Sequence, residues 1–249
     1  MKLIKDHYYR QMLYALDFDG VIADSMDECL QTSYSAYRRV NKESGRLLSP
    51  NPDSEATSLF KMRRGLVRPS RNFFALWEWI LFDPQKNYSI MTFEGFADGL
   101  GAILYTFEIE FHKIRANAIN EKSENFVEQN PLFFGVKEIW KDLPKPLYIV
   151  STKDEESISL ILRSHNLEVR GIYGRGSGPK SETLTKLANS NGIPSADIYF
   201  VDDNFQHVND VASTGARVAL AMWGYGPFEK FQGSRLLSFP EVLEFFLSK

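Results

Sequence analysis

The sequence is poor in cysteine. Cys29 stands alone in 249 residues, which excludes an intramolecular disulfide, and no Cys/His cluster has the spacing of a zinc site. That usage suits a reducing compartment, so the cytoplasm is the expected location. Long apolar runs are missing too. Nowhere do about 18 apolar residues run together, and Met1–Arg10 lacks the continuous apolar core of a signal peptide, so neither export nor membrane insertion is expected. Nor is there an excess of one charge: Lys and Arg number 29 against 32 Asp and Glu, a net charge of -3. No overall basic field recruits nucleic acid or an anionic membrane. What is present is 43% hydrophobic residues, enough to bury the core of one large domain or of a domain carrying an insertion.

Four short apolar runs end in polar or glycine-rich residues: Met12–Leu16, Leu147–Val150, Ile198–Val201 and Val218–Met222. Each reads as a buried strand opening into a loop. Helical patterns lie between them, at Glu155–Ser164, Ser181–Asn189, Phe205–Ser213 and Glu241–Leu247. Alternation of this kind implies an α/β fold with a Rossmann-like parallel sheet covered on both faces, whose ligands collect beyond the carboxyl ends of the strands. The stretch 26–130 differs. It shows long helical patterns at Ser25–Val40, Arg71–Phe82 and Phe93–Ile119 and no strand signal, which suggests an all-helical insertion in a core formed by 1–25 and 131–249. Asn41–Thr57 reads as a loop within the insertion.

The polar ends of the strands carry the chemistry. Asp17 and Asp19 can reach one metal and one phosphoryl group if the chain turns after them, as Gly20 permits. Asp202 and Asp203 end another strand and can complete an oxygen-rich site of the kind Mg²⁺ prefers. Taken singly, each pair also reads as solvated loop. Ser151 offers a hydroxyl and adjacent amides to a phosphoryl oxygen, or simply caps the helix that follows. Lys180 opens a helix after Gly176–Pro179 and can reach the same point, or can lie on the surface. Nucleophile, metal ligands, hydroxyl and cation, each at the edge of a predicted strand or helix, form a coherent set.

In these residues the chain resembles the haloacid dehalogenase superfamily of phosphohydrolases, and within it the phosphoglycolate phosphatase type with a helical cap of the C1 class. Asp17-Phe-Asp19-Gly20-Val21 resembles the first motif, Ile149-Val150-Ser151-Thr152-Lys153 the second, Lys180 with Ser181–Leu184 the third, and Phe200-Val201-Asp202-Asp203 the fourth. Asp24-Ser25, Pro131–Val136 and Trp223–Gly226 are lesser matches. The resemblance implies a phosphomonoester phosphatase in which Asp17 attacks phosphorus to form an aspartyl-phosphate. Asp19 protonates the leaving oxygen and then activates water. Mg²⁺ is implied, held by Asp17, the backbone carbonyl of Asp19 and Asp203, with Asp202 as an outer or additional ligand. Ser151 and Lys180 bind phosphoryl oxygens, and Thr152 and Gly20 join the substrate contacts. One position departs from the motif: His207 stands where a second acidic residue usually lies. It is expected to orient a water or a carboxylate rather than to bind Mg²⁺, or merely to start a helix.

The insertion lies where this family places its cap, which closes over the nucleophile and supplies substrate contacts. Of its basic group Lys61, Arg63, Arg64, Arg68 and Arg71, the pair Arg64 and Arg68, four apart on one helix face, best suits the far end of an anionic substrate, although a solvated face would look the same. Phe73, Phe74, Trp77 and Trp79 read as cap core or as a stacking platform, and the aromatic content also suits a homodimer interface. The expected partner is a small phosphorylated metabolite. A phosphomutase keeps the same residues, and a non-catalytic regulatory or binding protein could retain the fold. Asp19 argues against a dehalogenase, since carbon–halogen displacement protonates no ester oxygen. The remaining histidines, His7, His112 and His165, read as structural or surface residues.

Overall fold

The computed structural model describes residues 11–43, 45–226 and 231–248. The run Met1–Arg10, with His7, lies outside the described residues. Six strands form one parallel sheet: β1 (Leu13–Leu16), β2 (Leu147–Val150), β3 (Gly171–Tyr173), β4 (Ile198–Asp202), β5 (Arg217–Ala221) and β6 (Ser234–Leu236). Their order is β3-β2-β1-β4-β5-β6. The central strands β1, β2 and β4 are buried throughout, as unbroken apolar runs require in a sheet covered on both faces. The two edge strands β3 and β6 have three residues each and no apolar run, so the pattern does not mark them.

Six α-helices occupy the stretch 26–130 after β1: α1 (Met26–Glu43), α2 (Ser54–Arg63), α3 (Asn72–Phe82), α4 (Ile90–Gly99), α5 (Ile103–Glu121) and α6 (Ser123–Glu128). The others, α7 (Val136–Ile139), α8 (Glu155–Ser164), α9 (Lys180–Ser190), α10 (Phe205–Ala212) and α11 (Glu241–Leu247), accompany the sheet. The expected single helix over Phe93–Ile119 is two helices. Gly101 takes φ +67°, a left-handed conformation that breaks the ladder between Gly99 and Ile103 and lets α5 start in a new direction. The expected loop Asn41–Thr57 is shorter at both ends. α1 runs on to Glu43, and α2 starts at Ser54 because the Asp53 carboxylate accepts from the Ala56 N–H.

The helical cap has an apolar core of its own. Phe60, Phe73, Phe74, Trp77, Phe107 and Phe111 are buried there, with Phe60 stacked on Trp77 at 5.0 Å. Phe73, Phe74, Trp77 and Trp79 are therefore cap core rather than a stacking platform. The chain crosses between sheet and cap twice, side by side: the Asp24 N–H donates to the Pro131 carbonyl at 2.8 Å and the Phe133 N–H to the Ile22 carbonyl at 3.0 Å. Trp77 is fully buried, and its indole N–H donates to Ser33 Oγ at 2.9 Å. Trp77→Ala is expected to lower stability by about 3–5 kcal/mol, read from urea denaturation.

Candidate active site

β1 is central, and the chain leaves it first toward β2 and later returns on its other side as β4. This reversal opens a crevice at the carboxyl ends of the three strands. Register places Leu16 beside Ile149 and Val201, so Asp17, Ser151 and the Asp202–Asp203 pair emerge next to one another. The Asp17 N–H still donates to the Val201 carbonyl at 2.9 Å, which fixes the nucleophile candidate to the sheet. Lys180, the first residue of α9, reaches across with Nζ 2.8 Å from Asp17 Oδ2 and 2.7 Å from Asp202 Oδ2.

Asp17, Asp202 and Asp203 are all buried, and Lys180 is buried with them. Burial and the Asp202 charge push the Asp17 carboxyl up to about 7, although Lys180 and Ser151 oppose the shift. Burial, Asp202 and Asp17 raise Asp203 well above the carboxylate range. Burial acts to raise Asp202 as well, but Lys180 and His207 outweigh it and hold that carboxyl low. One lysine thus serves two of the three carboxylates, and among the described residues Asp203 has no ion-pair partner.

These residues fit a divalent cation. Asp17 Oδ1 is buried with no protein partner, and Asp203 faces the same cavity. An all-carboxylate set of this kind suits a hard ion. Asp17, Asp202 and His207 also bring one ligand atom each within 4.8 Å of one another. Lys180, however, already sits between the two aspartates. Asp202 Oδ1 accepts from the Asn204 N–H at 2.8 Å and Oδ2 meets both Lys180 and His207 Nδ1, the latter at 3.3 Å. Both Asp202 oxygens therefore already have protein contacts. His207 Nδ1 lies beside the Asp202 carboxylate without an aligned hydrogen bond to it. Ser151 does not cap α8; Asp154 does, accepting from the Ser157 N–H.

The loops around the carboxylates are tightly drawn. Gly20 takes φ +80°, and a Cβ there would lie 2.2 Å from Asp203 Oδ2. Trp223 Nε1 donates to the Val21 carbonyl at 3.0 Å, and the Tyr225 N–H donates to Asp203 Oδ2 at 2.7 Å. The Tyr225 hydroxyl accepts from the Ser25 N–H at 2.6 Å and lies 3.1 Å from Asp24 Oδ1, which ties this loop to the crossing into the cap.

The cap closes the site to a cavity of about 30 Å³, lined by Asp17, Asp19, Thr152, Asp203 and His207 from below and by Arg64, Gly65, Val67 and Arg68 from above. Arg64 and Arg68 do not share a helix face. α2 ends at Arg63, Arg64 opens a short 3₁₀ turn, and Arg68 lies in the loop beyond. Both still reach the cavity. The Arg64 guanidinium sits between the Phe73 and Tyr225 rings at 4.8 and 4.9 Å, and its Nε is buried without a partner. Arg68 ties the cap to α10 through Asp210 at 3.0 Å. Gly65 lies so close to the Gly226 carbonyl that a Cβ would approach it to 2.2 Å. Of the other basic residues, Lys61 is exposed, and Arg63 stacks on Trp79 at 3.8 Å.

Sequence reasoning missed the neighbours of Asp19. Lys153 Nζ lies 3.1 Å from Asp19 Oδ1 and 3.4 Å from Glu28 Oε2, and Arg115 Nη2 lies 2.8 Å from that same Glu28 oxygen. Glu28 and Arg115 carried no signal beyond being charged residues on helices. Burial works to raise the Glu28 carboxyl, but Arg115 and Lys153 prevail and bring it from 4.5 down to about 2. A depressed carboxyl contributes stability above its unfolded value and loses it as the pH falls through the folded one. Glu28→Gln is accordingly expected to be less stable than the parent at neutral pH, with the gap closing as pH falls from 4.5 toward about 2, measured by urea denaturation across that range.

The sheet order, the helical insertion after β1 and the crevice of acidic residues define a haloacid dehalogenase-like α/β core with a helical cap. Solved structures share this fold along nearly the whole chain. A protein from Haemophilus somnus described as a predicted phosphoglycolate phosphatase is 17% identical, over 94% of this chain and 96% of that one, with a TM-score of 0.65. A haloacid dehalogenase-like family hydrolase from Streptococcus pneumoniae is 19% identical over 94% and 98%, with a TM-score of 0.59. A HAD-superfamily hydrolase of subfamily IA from Geobacter sulfurreducens is 16% identical over 96% and 99%, with a TM-score of 0.55. No protein-family model matches the sequence, and no curated protein does. Among the described residues, no helix is long and apolar enough to cross a membrane.

Proposed function

We propose that the chain is a magnesium-dependent phosphomonoester phosphatase of the haloacid dehalogenase superfamily, acting in the cytoplasm on a small phosphorylated metabolite. The observation that carries this reading is the state of Asp17: one carboxylate oxygen is anchored by Lys180, while the other is buried, without a partner, in a cavity shared with Asp19 and Asp203. The solved structures named hydrolases and phosphatases, which share the fold, lend support.

In this mechanism Asp17 attacks phosphorus and becomes an aspartyl-phosphate, which splits the transfer into two easier steps. Asp19, starting as the acid, protonates the oxygen that leaves; its carboxylate then takes a proton from the water that attacks the aspartyl-phosphate, so Asp17 is released with phosphate and Asp19 is an acid again. Lys180, Ser151 and Thr152 hold the phosphoryl oxygens, and Asp202 keeps Lys180 aimed. A magnesium ion held by Asp17, Asp203 and the backbone carbonyl of Asp19 would offset the repulsion between nucleophile and anionic phosphate. Arg64, whose Nε has no partner, is placed to meet an anionic or polar group on the leaving side. A cavity of about 30 Å³ holds only a water or two, so substrate enters with the cap raised and reacts with it seated.

The test is phosphate release from an aryl phosphate. Release should require Mg²⁺, stop on chelation, and fall by at least about 10³-fold in Asp17→Asn, as removal of a nucleophile does elsewhere. Equal turnover by Asp17→Asn, or by the chelated protein, excludes this mechanism.

A further inference from the structure

A second group of buried charges lies beside the carboxylate cluster and has no part in the mechanism above. Lys153, in the loop after β2, has a fully buried side chain, and its Nζ contacts Asp19 Oδ1 at 3.1 Å and Oδ2 at 3.5 Å. Among the described residues it is the one partner of the Asp19 carboxylate. Behind it stand Glu28 Oε2 at 3.4 Å and Asn130 Oδ1 at 3.3 Å. Glu28, from α1, is gripped by Arg115, from α5, through Nε at 2.9 Å and Nη2 at 2.8 Å, and accepts from Thr32 Oγ1 at 2.9 Å. The far side of Arg115 meets Asp154 Oδ2 at 3.3 Å, and Asp154 caps α8.

Burying these ions is costly, and apolar residues of similar size would often serve stability as well or better. The arrangement is directional instead. Arg115 fixes Glu28 by a two-pronged contact, Glu28 offsets the charge of Lys153, and the remaining donor capacity of Lys153 points at Asp19. The Asp19 side chain is 17% exposed, so without Lys153 nothing protein-borne keeps it turned toward the cavity rather than toward solvent.

Building on the phosphatase reading, we propose that Lys153, Glu28 and Arg115 form a positioning relay that holds the Asp19 carboxyl where it can protonate the leaving oxygen. Lys153 belongs to the sheet side, and Glu28 and Arg115 to the cap. The acid is therefore in place only when the cap is seated, whereas Lys180 holds Asp17 without help from the cap.

The test separates loss of proton delivery from general damage. With Mg²⁺ present, kcat/KM is measured for a series of substituted phenyl phosphates from nitrophenyl to methylphenyl, for the parent, Lys153→Met and the near-isosteric Glu28→Gln. Melting curves establish that each variant is folded. kcat/KM reads the transfer to Asp17, in which only the leaving group varies. A nitrophenolate leaves readily without a proton, but a methylphenolate needs one. Both variants should lose little on the first and about 100-fold on the second, mainly in kcat, with Lys153→Arg restoring much of the loss. A loss equal across the series in the folded variants, or no loss at all, overturns the relay. Absence of phosphate release by the parent protein overturns the phosphatase reading itself, before any variant is compared.

Discussion

Three buried carboxylates with one lysine among them set the terms for everything at the ends of β1 and β4. A parallel sheet that reverses its direction of winding at β1 puts the ends of β1, β2 and β4 side by side, so Asp17, Asp202 and Asp203 cannot avoid one another. Lys180 answers two of them and leaves Asp203 and one oxygen of Asp17 uncompensated. Like charges this close repel strongly wherever the dielectric is low, so the imbalance suits a cation brought among them.

The loops follow from the same constraint. Asp203 must pack against Gly20 and Gly224, because a side chain at either would displace its carboxylate. The backbone amide of Tyr225 supplies the hydrogen bond that Asp203 has in place of a counter-charge. Tyr225 then passes the arrangement outward, with its hydroxyl on Ser25 and Asp24 at the crossing into the cap and its ring beneath Arg64. The cap's seat and the Asp203 carboxylate thus share one loop. Gly65 packed on Gly226, and Arg68 on Asp210, complete the closure.

What the sequence displays is whatever lies close together along the chain. The central strands are apolar runs cut off by polar residues, so Asp17, Ser151, Asp202 and Asp203 are visible as strand ends. Their convergence follows from the parallel order of the strands. Lys180 is visible because it opens a helix. The edge strands β3 and β6 leave no such trace, being short and partly exposed. The apolar periodicity across Phe93–Ile119 hides a break that the spacing of Gly99 and Gly101 offers to a closer reading. Arg64 and Arg68 reach the cavity, but the helical spacing that paired them is not the reason, since the chain leaves the helix at Arg63. Glu28 and Arg115 lie 87 residues apart on two helices, and their meeting depends on how those helices pack. No local pattern encodes such a contact.

The two charge assemblies divide the labour along the line between sheet and cap. Lys180 and Asp202 belong wholly to the sheet side, so the contacts that hold Asp17 involve no cap residue. The chain from Lys153 through Glu28 to Arg115 straddles the boundary, and Asp154 returns it to the sheet side at the start of α8. Lys153 lies between Asp19 on the sheet side and Glu28 on the cap, and the two carboxylates share its charge. The space left between sheet and cap is a cavity of about 30 Å³. On the mechanism proposed above, one seating of the cap would both confine water and place the Asp19 carboxyl, with Arg64 on the wall of the same cavity.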